Sequence, residues 1–378
     1  MKIEQSRWTK DKGWTPARPG RLDSPAQLVL LFGSPAVLRD TAWQADIQTA
    51  FPVARRLGCS TAGEISGIEV TDESLVATAI AFEHTHIQGT HLKIRNADES
   101  FEVGGRLARQ LPHESLKHVL VISDGLNVNG SKLVAGLTSH LPAHVTLTGG
   151  LAGDGDRFQE TLVLWEGPAE ADTIAVLGFY GDRLKVGFGS LGGWDAFGPE
   201  RLITRSSGNI LYELDKQPAL ALYKKYLGDH ARELPASGLL FPLSVRSTEG
   251  ESLVRTILSV NEAEQSLTFA GDMPQGEHAR LMKANFDRLI DGAAGAARTS
   301  YGSIVETSPQ LALLISCVGR KLVLKQRIEE EVEAVRNVLG NGTILAGFYS
   351  YGEISPFTPS AKCELHNQTM TITTFSEV

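Results

Sequence analysis

The sequence predicts an α/β protein with mixed sheets built from repeated strand, helix, glycine loop, strand units, arranged as two domains. Three observations carry this. The phrase GCSTAGEIS at 58–66 returns as GFYSYGEIS at 347–355 with five of nine letters identical. Short apolar runs rich in β-formers alternate with amphipathic stretches. The first residue of a strand precedes a loop glycine by 30 residues from Leu28 to Gly58, by 30 from Val119 to Gly149 and by 36 from Leu311 to Gly347.

Residues 1–25 are polar, carry Pro16, Pro19 and Pro25, and show no apolar period. They are expected to form an extended arm whose Trp8 and Trp14 pack on the body or on a partner. A first domain is expected over 26–212. Its first unit runs from a buried-type strand at Leu28–Ser34, through a helical stretch between Asp40 and Leu57, to a strand at Val76–Phe82. Its second runs from Val119–Gly125, through a helix at Lys132–Leu141 and the loop GGLAGDGD (149–156), to Thr161–Trp165. A second domain, 213–378, begins near the helix PALALYKKYL, where Pro218 suits a first helical position, and ends with the third unit. In that unit Ile328, Val332, Val335 and Leu339 share one helix face, Glu329–Glu331 favour the N-terminal half, and Gly340 supplies a left-handed stop.

Composition excludes several classes. The net charge is −8 and no Lys/Arg run occurs, so no basic stripe is present to replace counterions around nucleic-acid phosphates. The longest apolar stretches, such as LALLISCV at 311–318, are strand-sized, so no membrane span is expected. Three cysteines, Cys59, Cys317 and Cys363, make no disulfide framework and point to a reducing compartment. The N-terminus lacks an apolar core and reads as no secretory signal. A cytoplasmic protein is expected.

Each glycine loop sets a glycine before an acid: Gly63-Glu64, Gly153-Asp154 and Gly352-Glu353, following Gly58, Gly149 and Gly347. One reading makes the loops turns whose acids cap nearby amides. The other gathers them at one end of a sheet around a ligand crevice. They are not phosphate loops, since neither GxGxxG opening a helix nor GxxxxGK[ST] is present. Asp124, Asp154 and Asp156 lack the dense oxygen alternation of a calcium loop. Cys59 is a candidate nucleophile for a cysteine-dependent hydrolase, but the third copy has Phe348 there, the second Gly150 or Leu151, and no base or oxyanion site is marked. In KCELHNQTMTITTF, Cys363 and His366 stand three apart without a second ligand pair for zinc. If the following strand reaches back, His366 shares a face with Met370 and Ile372 and points into an apolar cavity, where one imidazole is all a non-covalent haem needs as proximal ligand. His230 is the other candidate.

GCSTAGEIS, GGLAGDG, PALALYKKYLG, SCVGRKLVL and GFYSYGEISP…HNQTMTITTF together resemble the FIST N and FIST C domains of bacterial signal-transduction proteins, from about Ser24 to the C-terminus. The resemblance implies a sensory, ligand-binding protein and not an enzyme. With no kinase, cyclase or transporter sequence attached, the chain is similar to the nitric-oxide-sensing NosP proteins. That likeness implies bound haem and control of a separate histidine kinase or cyclic-di-GMP enzyme. His366 would then be the axial ligand to the haem iron, with His230 as alternative and Phe348, Tyr349 and Tyr351 lining the pocket. A homodimer is compatible with this. The alternatives are a receptor for amino acids or other small metabolites on the same fold, and a cysteine- or metal-dependent hydrolase.

Overall fold

The computed structural model describes every residue except 247–251, 305–306 and 358–360. The first unit comprises the hairpin β1 (Lys2–Thr9) and β2 (Gly13–Thr15), then β3 (Leu28–Gly33), α1 (Pro35–Arg39), α2 (Gln44–Ala50), β4 (Arg55–Ser60), β5 (Glu64–Ser66), β6 (Glu69–Thr71) and β7 (Leu75–Ala81). The second comprises β8 (His86–Lys93), α3 (Ser100–Gln110), β9 (Leu116–Ser123), α4 (Gly130–Thr138), β10 (Thr146–Leu151), β11 (Val163–Trp165), β12 (Ala169–Glu170) and β13 (Thr173–Tyr180). The third opens with β14 (Leu184–Leu191) and is then interrupted by β15 (Asp195–Ser207), β16 (Ile210–Leu214), β17 (Gln217–Pro218), α5 (Ala219–Leu227), β18 (Leu243–Arg246), β19 (Ser252–Arg255), β20 (Ile257–Asn261), β21 (Ser266–Phe269) and β22 (His278–Lys283). It resumes with α6 (Phe286–Gly302), β23 (Leu311–Cys317), α7 (Val318–Leu324), α8 (Ile328–Leu339), β24 (Ile344–Ser350), β25 (Gly352–Pro356), β26 (Cys363–His366) and β27 (Met370–Glu377).

The three units share one pairing scheme. A parallel pair (β3/β4, β9/β10, β23/β24) is flanked by an antiparallel third strand (β7, β13, β27), and that strand by the strand that opens the unit (β1, β8, β14). The hairpin after each glycine loop leaves its own sheet. β5 pairs with β24 of the third unit, β25 with β10 of the second, and β11 with β4 of the first. Each sheet is thus completed by the next unit in a closed cycle, and none of the three can pair fully alone.

Each inner strand is covered on both faces, which is why it reads as a continuous apolar run. Leu28, Leu30 and Phe32 of β3, Leu120 and Ile122 of β9, and Leu311, Leu313 and Ile315 of β23 meet in one central core. Their alternate neighbours turn outward, Val29 and Leu31 against α1 and α2, and Val119, Val121 and Leu314 into the core that holds α3, α4 and α8.

Two expectations are corrected. The N-terminal segment is no arm, because β1 pairs with β7 from Lys2 to Trp8 and Trp8 is buried. Its buried side chains are Glu4, Ser6 and Trp8, so no apolar period betrays it. The Glu4 carboxylate is satisfied by the amides of Gly20, Arg21 and Leu22 at 3.0, 2.7 and 3.1 Å. The boundary drawn at 212/213 falls inside β16, which pairs with β15. The separate body is an insertion with its own core, formed around Leu211, Leu220, Tyr223 and Phe269 and nested between β14 and α6. Glycines of β14 let α6 lie close against it: a Cβ on Gly187 would stand 2.0 Å from Ser300 O and one on Gly189 2.4 Å from Ala296 O.

Candidate functional site

Gly58 and Gly347 do not belong to ligand loops. They lie within β4 and β24, where an added Cβ would stand 1.8 Å from the carbonyl oxygen of Leu31 and of Leu314 respectively, and Gly149 stands likewise 1.9 Å from that of Val121. What repeats is a close approach of two parallel strands that only glycine allows.

The acids of the first and third loops do one job. Glu64 accepts from Thr61 Oγ1, and from Ser74 Oγ and N at 2.7 and 3.2 Å. Glu353 accepts from Ser350 Oγ at 2.7 Å, and from Thr369 Oγ1 and N at 2.9 and 3.2 Å. In each, a hydroxyl three residues earlier and the residue opening the third strand lock the loop. Both acids are fully buried, and burial pushes Glu64 up to about 7 and Glu353 up to about 8. Asp154 caps its own loop, taking the amides of Phe158, Gln159 and Glu160 at 2.9, 3.0 and 3.0 Å together with the Tyr351 hydroxyl. The loops also bond one another: Ala62 N to Tyr349 O and Tyr349 N to Gly63 O, both 2.8 Å, and Gly153 N to Ser60 O at 2.9 Å.

A crevice of about 320 Å³ opens where Gly63 and Glu64 meet Asp154 and Lys321. Gly352 and Glu353 of the third loop do not reach it. Both of its cations are engaged: Lys321 Nζ donates to Ala62 O at 2.8 Å and to Asp72, and Arg157 Nε stands 3.6 Å from Asp154 Oδ2. Gly63, at φ +139°, leaves room for that ammonium, which a Cβ would meet at 2.5 Å.

The residues expected to surround haem are not brought together. Phe348 faces the central core, 4.7 Å from Phe32. Tyr349, on the opposite face of β24, donates to Glu331 at 2.6 Å, and Tyr351 stacks on Phe158 at 4.4 Å. His366 is 1% exposed, Nε2 donates to Ser355 O at 2.6 Å, and the ring lies 4.1 Å from Phe357. Its Nδ1 has no partner among the described residues, and burial lowers its pKa to about 4. It shares no face with Met370 and Ile372, because Gln368 at φ +63° separates β26, in the second unit's sheet, from β27, in the third's. His230 lies exposed in a 3-10 turn against Phe241. In this arrangement the set does not fit a haem. Cys59 is buried in the central core, where burial raises its thiol pKa. No group of three His, Cys, Asp or Glu able to hold a metal occurs among the described residues.

A larger space was missed from sequence. A cavity of about 710 Å³ lies between α4, the loop after it, β26 and the inserted strands, with Val134, Leu141, Val145, Leu253, Pro274 and Leu365 among its walls. Its size and mixed lining are those of a small-molecule pocket. One wall residue, Arg255, is 5% exposed.

The comparisons agree with the resemblance. The FIST N domain model matches 27–217 and the FIST C domain model 219–356. FIST domains are sensory, ligand-binding modules of signal transduction. The chain belongs to the FIST family. It is 22% identical over 308 residues to an uncharacterized protein of Methanocaldococcus jannaschii, a match covering 75% of this chain and 58% of that protein, so the chain spans little more than half of that relative. Among solved structures it matches a cyanuric acid hydrolase, at 8% identity and a TM-score of 0.34, over 100% of this chain and 99% of that one. The expectation that the chain is not an enzyme is corrected on this finding, since the structure matched from end to end is an enzyme's. At that TM-score the likeness carries no activity across. No helix among the described residues is long and apolar enough to cross a membrane.

Proposed function

We propose that the chain is a ligand sensor whose small-molecule ligand occupies the cavity beside α4. The observation that carries this is the cavity's place at the seam between the inserted body and the repeated core. A ligand there touches both, and so favours one arrangement of the two over another, which is what shifting a signalling equilibrium requires. The junction crevice is the weaker candidate, because Lys321 is already paired within it. The test is a thermal-shift screen of metabolites on the wild type and on Ala135→Trp, an exposed wall position on α4. Stabilisation in the wild type that the tryptophan abolishes supports the site; stabilisation indifferent to it places the ligand elsewhere.

The narrower reading, a cytoplasmic haem-based nitric oxide sensor regulating a separate histidine kinase or cyclic-di-GMP enzyme, draws support from one feature, the unpartnered His366 Nδ1. It requires the hairpin of β25 and β26 to release His366. Spectra of protein expressed with haem, before and after reduction and nitric oxide, with His366→Ala and His230→Ala alongside, test it. A protein that holds no stoichiometric haem refutes it.

A further inference from the structure

The cavity has a polar end. Arg255 closes β19 and lines the same cavity as Ser131 of the first turn of α4; Nη1 donates to Leu365 O at 2.8 Å and Nε to Asp272 O at 3.3 Å. Nη2 has no hydrogen-bond partner, and no carboxylate stands within ion-pair distance of the group, among the described residues. The carboxylates of Asp272 and Glu364, also at the cavity wall, act on it from further away, and burial pulls its pKa below the ordinary arginine value. Asp272 is tied to Asn129, the N-cap of α4, which donates to it at 3.0 Å. Two residues on, the buried Ser131 Oγ at the same wall has no partner.

A buried cation with no carboxylate in ion-pair contact is costly, and a guanidinium fork with one arm unused is shaped for a carboxylate. The first-turn amides of α4 favour negative charge at the same place. Away from this end the walls are mainly apolar, with Thr138, Thr146 and Lys362 among them: Val134 lies further along the helix, and Leu141, Pro142 and Val145 beyond its C-terminus, about 13 Å along its axis.

We propose that the cavity takes a small monocarboxylate with an apolar body, its carboxylate received by Arg255 Nη2 and Ser131 Oγ and its body lying along α4 toward Leu141 and Val145. This rests on the cavity being the ligand site.

The experiment is calorimetric titration of the full chain with octanoate, with its neutral isostere octanamide and with octylamine. Octanoate is expected to bind at least tenfold more tightly than octanamide, and octylamine more weakly still, as for a hydrogen bond to a charged group. Arg255→Gln should remove the preference for octanoate over octanamide, Ser131→Ala should reduce it several-fold, and Ala135→Trp should block both ligands. Circular dichroism checks folding of the arginine variant, and the octanoate–octanamide comparison in the wild type stands without it. Equal affinity for octanoate and octanamide, abolished by Ala135→Trp, would overturn the carboxylate assignment and leave the cavity as the site. Binding indifferent to Ala135→Trp, or no binding of any of the three, would overturn the proposal, the former removing the cavity reading as well.

Discussion

Arg320 and Glu331 form a salt bridge in which neither side chain has any exposure. Arg320 Nε and Nη2 reach Glu331 at 3.0 and 2.7 Å, Nη1 reaches Gly192 O at 2.6 Å, and Nη2 also reaches Leu289 O at 2.7 Å. One guanidinium thereby joins α7, α8, α6 and the exit from β14, where the insertion departs. Glu331 also accepts from Tyr349 at 2.6 Å and Ser316 at 3.3 Å. Arg320→Met leaves that carboxylate buried without its cation, and should cost about 3–5 kcal/mol. Glu331→Gln leaves the cation buried on two carbonyls and should cost about 3 kcal/mol. In the double variant no buried charge remains, and the loss comes from the carbonyls of Gly192 and Leu289, about 1–3 kcal/mol each. At the midpoints of these ranges the double variant should therefore fall short of the sum of the singles by about 3 kcal/mol. Urea unfolding followed by fluorescence and circular dichroism measures all four proteins. Additivity within about 0.5 kcal/mol would refute the coupling.

Alanine at Gly58, Gly149 or Gly347 should destabilise by about 3 kcal/mol or more, since the carbonyl it meets belongs to a paired strand. Gly302→Ala, with open space around it, should be neutral or stabilising by up to about 1 kcal/mol in the same denaturation series. Trp8→Ala should cost about 3–5 kcal/mol, against almost nothing for a tryptophan on a free arm. The pH profile of stability has opposing parts. Glu64 and Glu353, raised in the folded state from 4.5 to about 7 and about 8, contribute stability present below 4.5 and lost as pH rises through 7 and 8. His118 and His366, depressed from 6.5 to about 3 and about 4, contribute stability present above 6.5 and lost as pH falls. The wild type should be flat between about pH 4.5 and 6.5 and weaken toward 8, whereas Glu64→Gln/Glu353→Gln should gain stability from 4.5 to 6.5 and hold it; a wild-type decline absent between 6.5 and 8 in chemical denaturation would contradict these shifts.

The elements legible in the sequence were those whose burial follows a single period. On α8, Val332, Val335 and Leu339 are buried and Gly340 ends the helix at φ +82°, as their spacing predicts. β3, β9 and β23 are apolar on both faces and could be read from composition alone. β1 escaped because two of its three buried positions are polar, Glu4 and Ser6, and are satisfied by amides and a guanidinium that follow in the chain. α6 escaped because close packing on β14 selects glycine and alanine, which weaken the apolar signal. The glycine loops were found, but the partners of their hairpins lie in other units, and no local pattern encodes a pairing between residues 64 and 348. Arg255 carries no motif; its meaning comes from an apolar wall supplied by segments more than 100 residues away in sequence.

Repetition also determines where specificity can reside. Gly58, Gly149 and Gly347 serve strand approach, Glu64 and Glu353 serve loop closure, and Asp154 caps its own loop, so the repeated residues are committed to holding three sheets in a cycle. Changing any of them to suit a ligand would loosen the shared core, where Phe32 of the first unit packs on Phe348 of the third. Residues free to suit a ligand must then lie where the units differ. The largest such difference is the insertion between β14 and α6, which reaches back through Arg255 to the carbonyl of Leu365 in β26. β26 in turn extends the second unit's sheet through β25 and β10. A carboxylate received by Arg255 Nη2 leaves that carbonyl its bond from Nη1, and the strand so held is the outermost strand of an exchanged hairpin. The element best placed to change its pairing is thus the one that the proposed ligand addresses first.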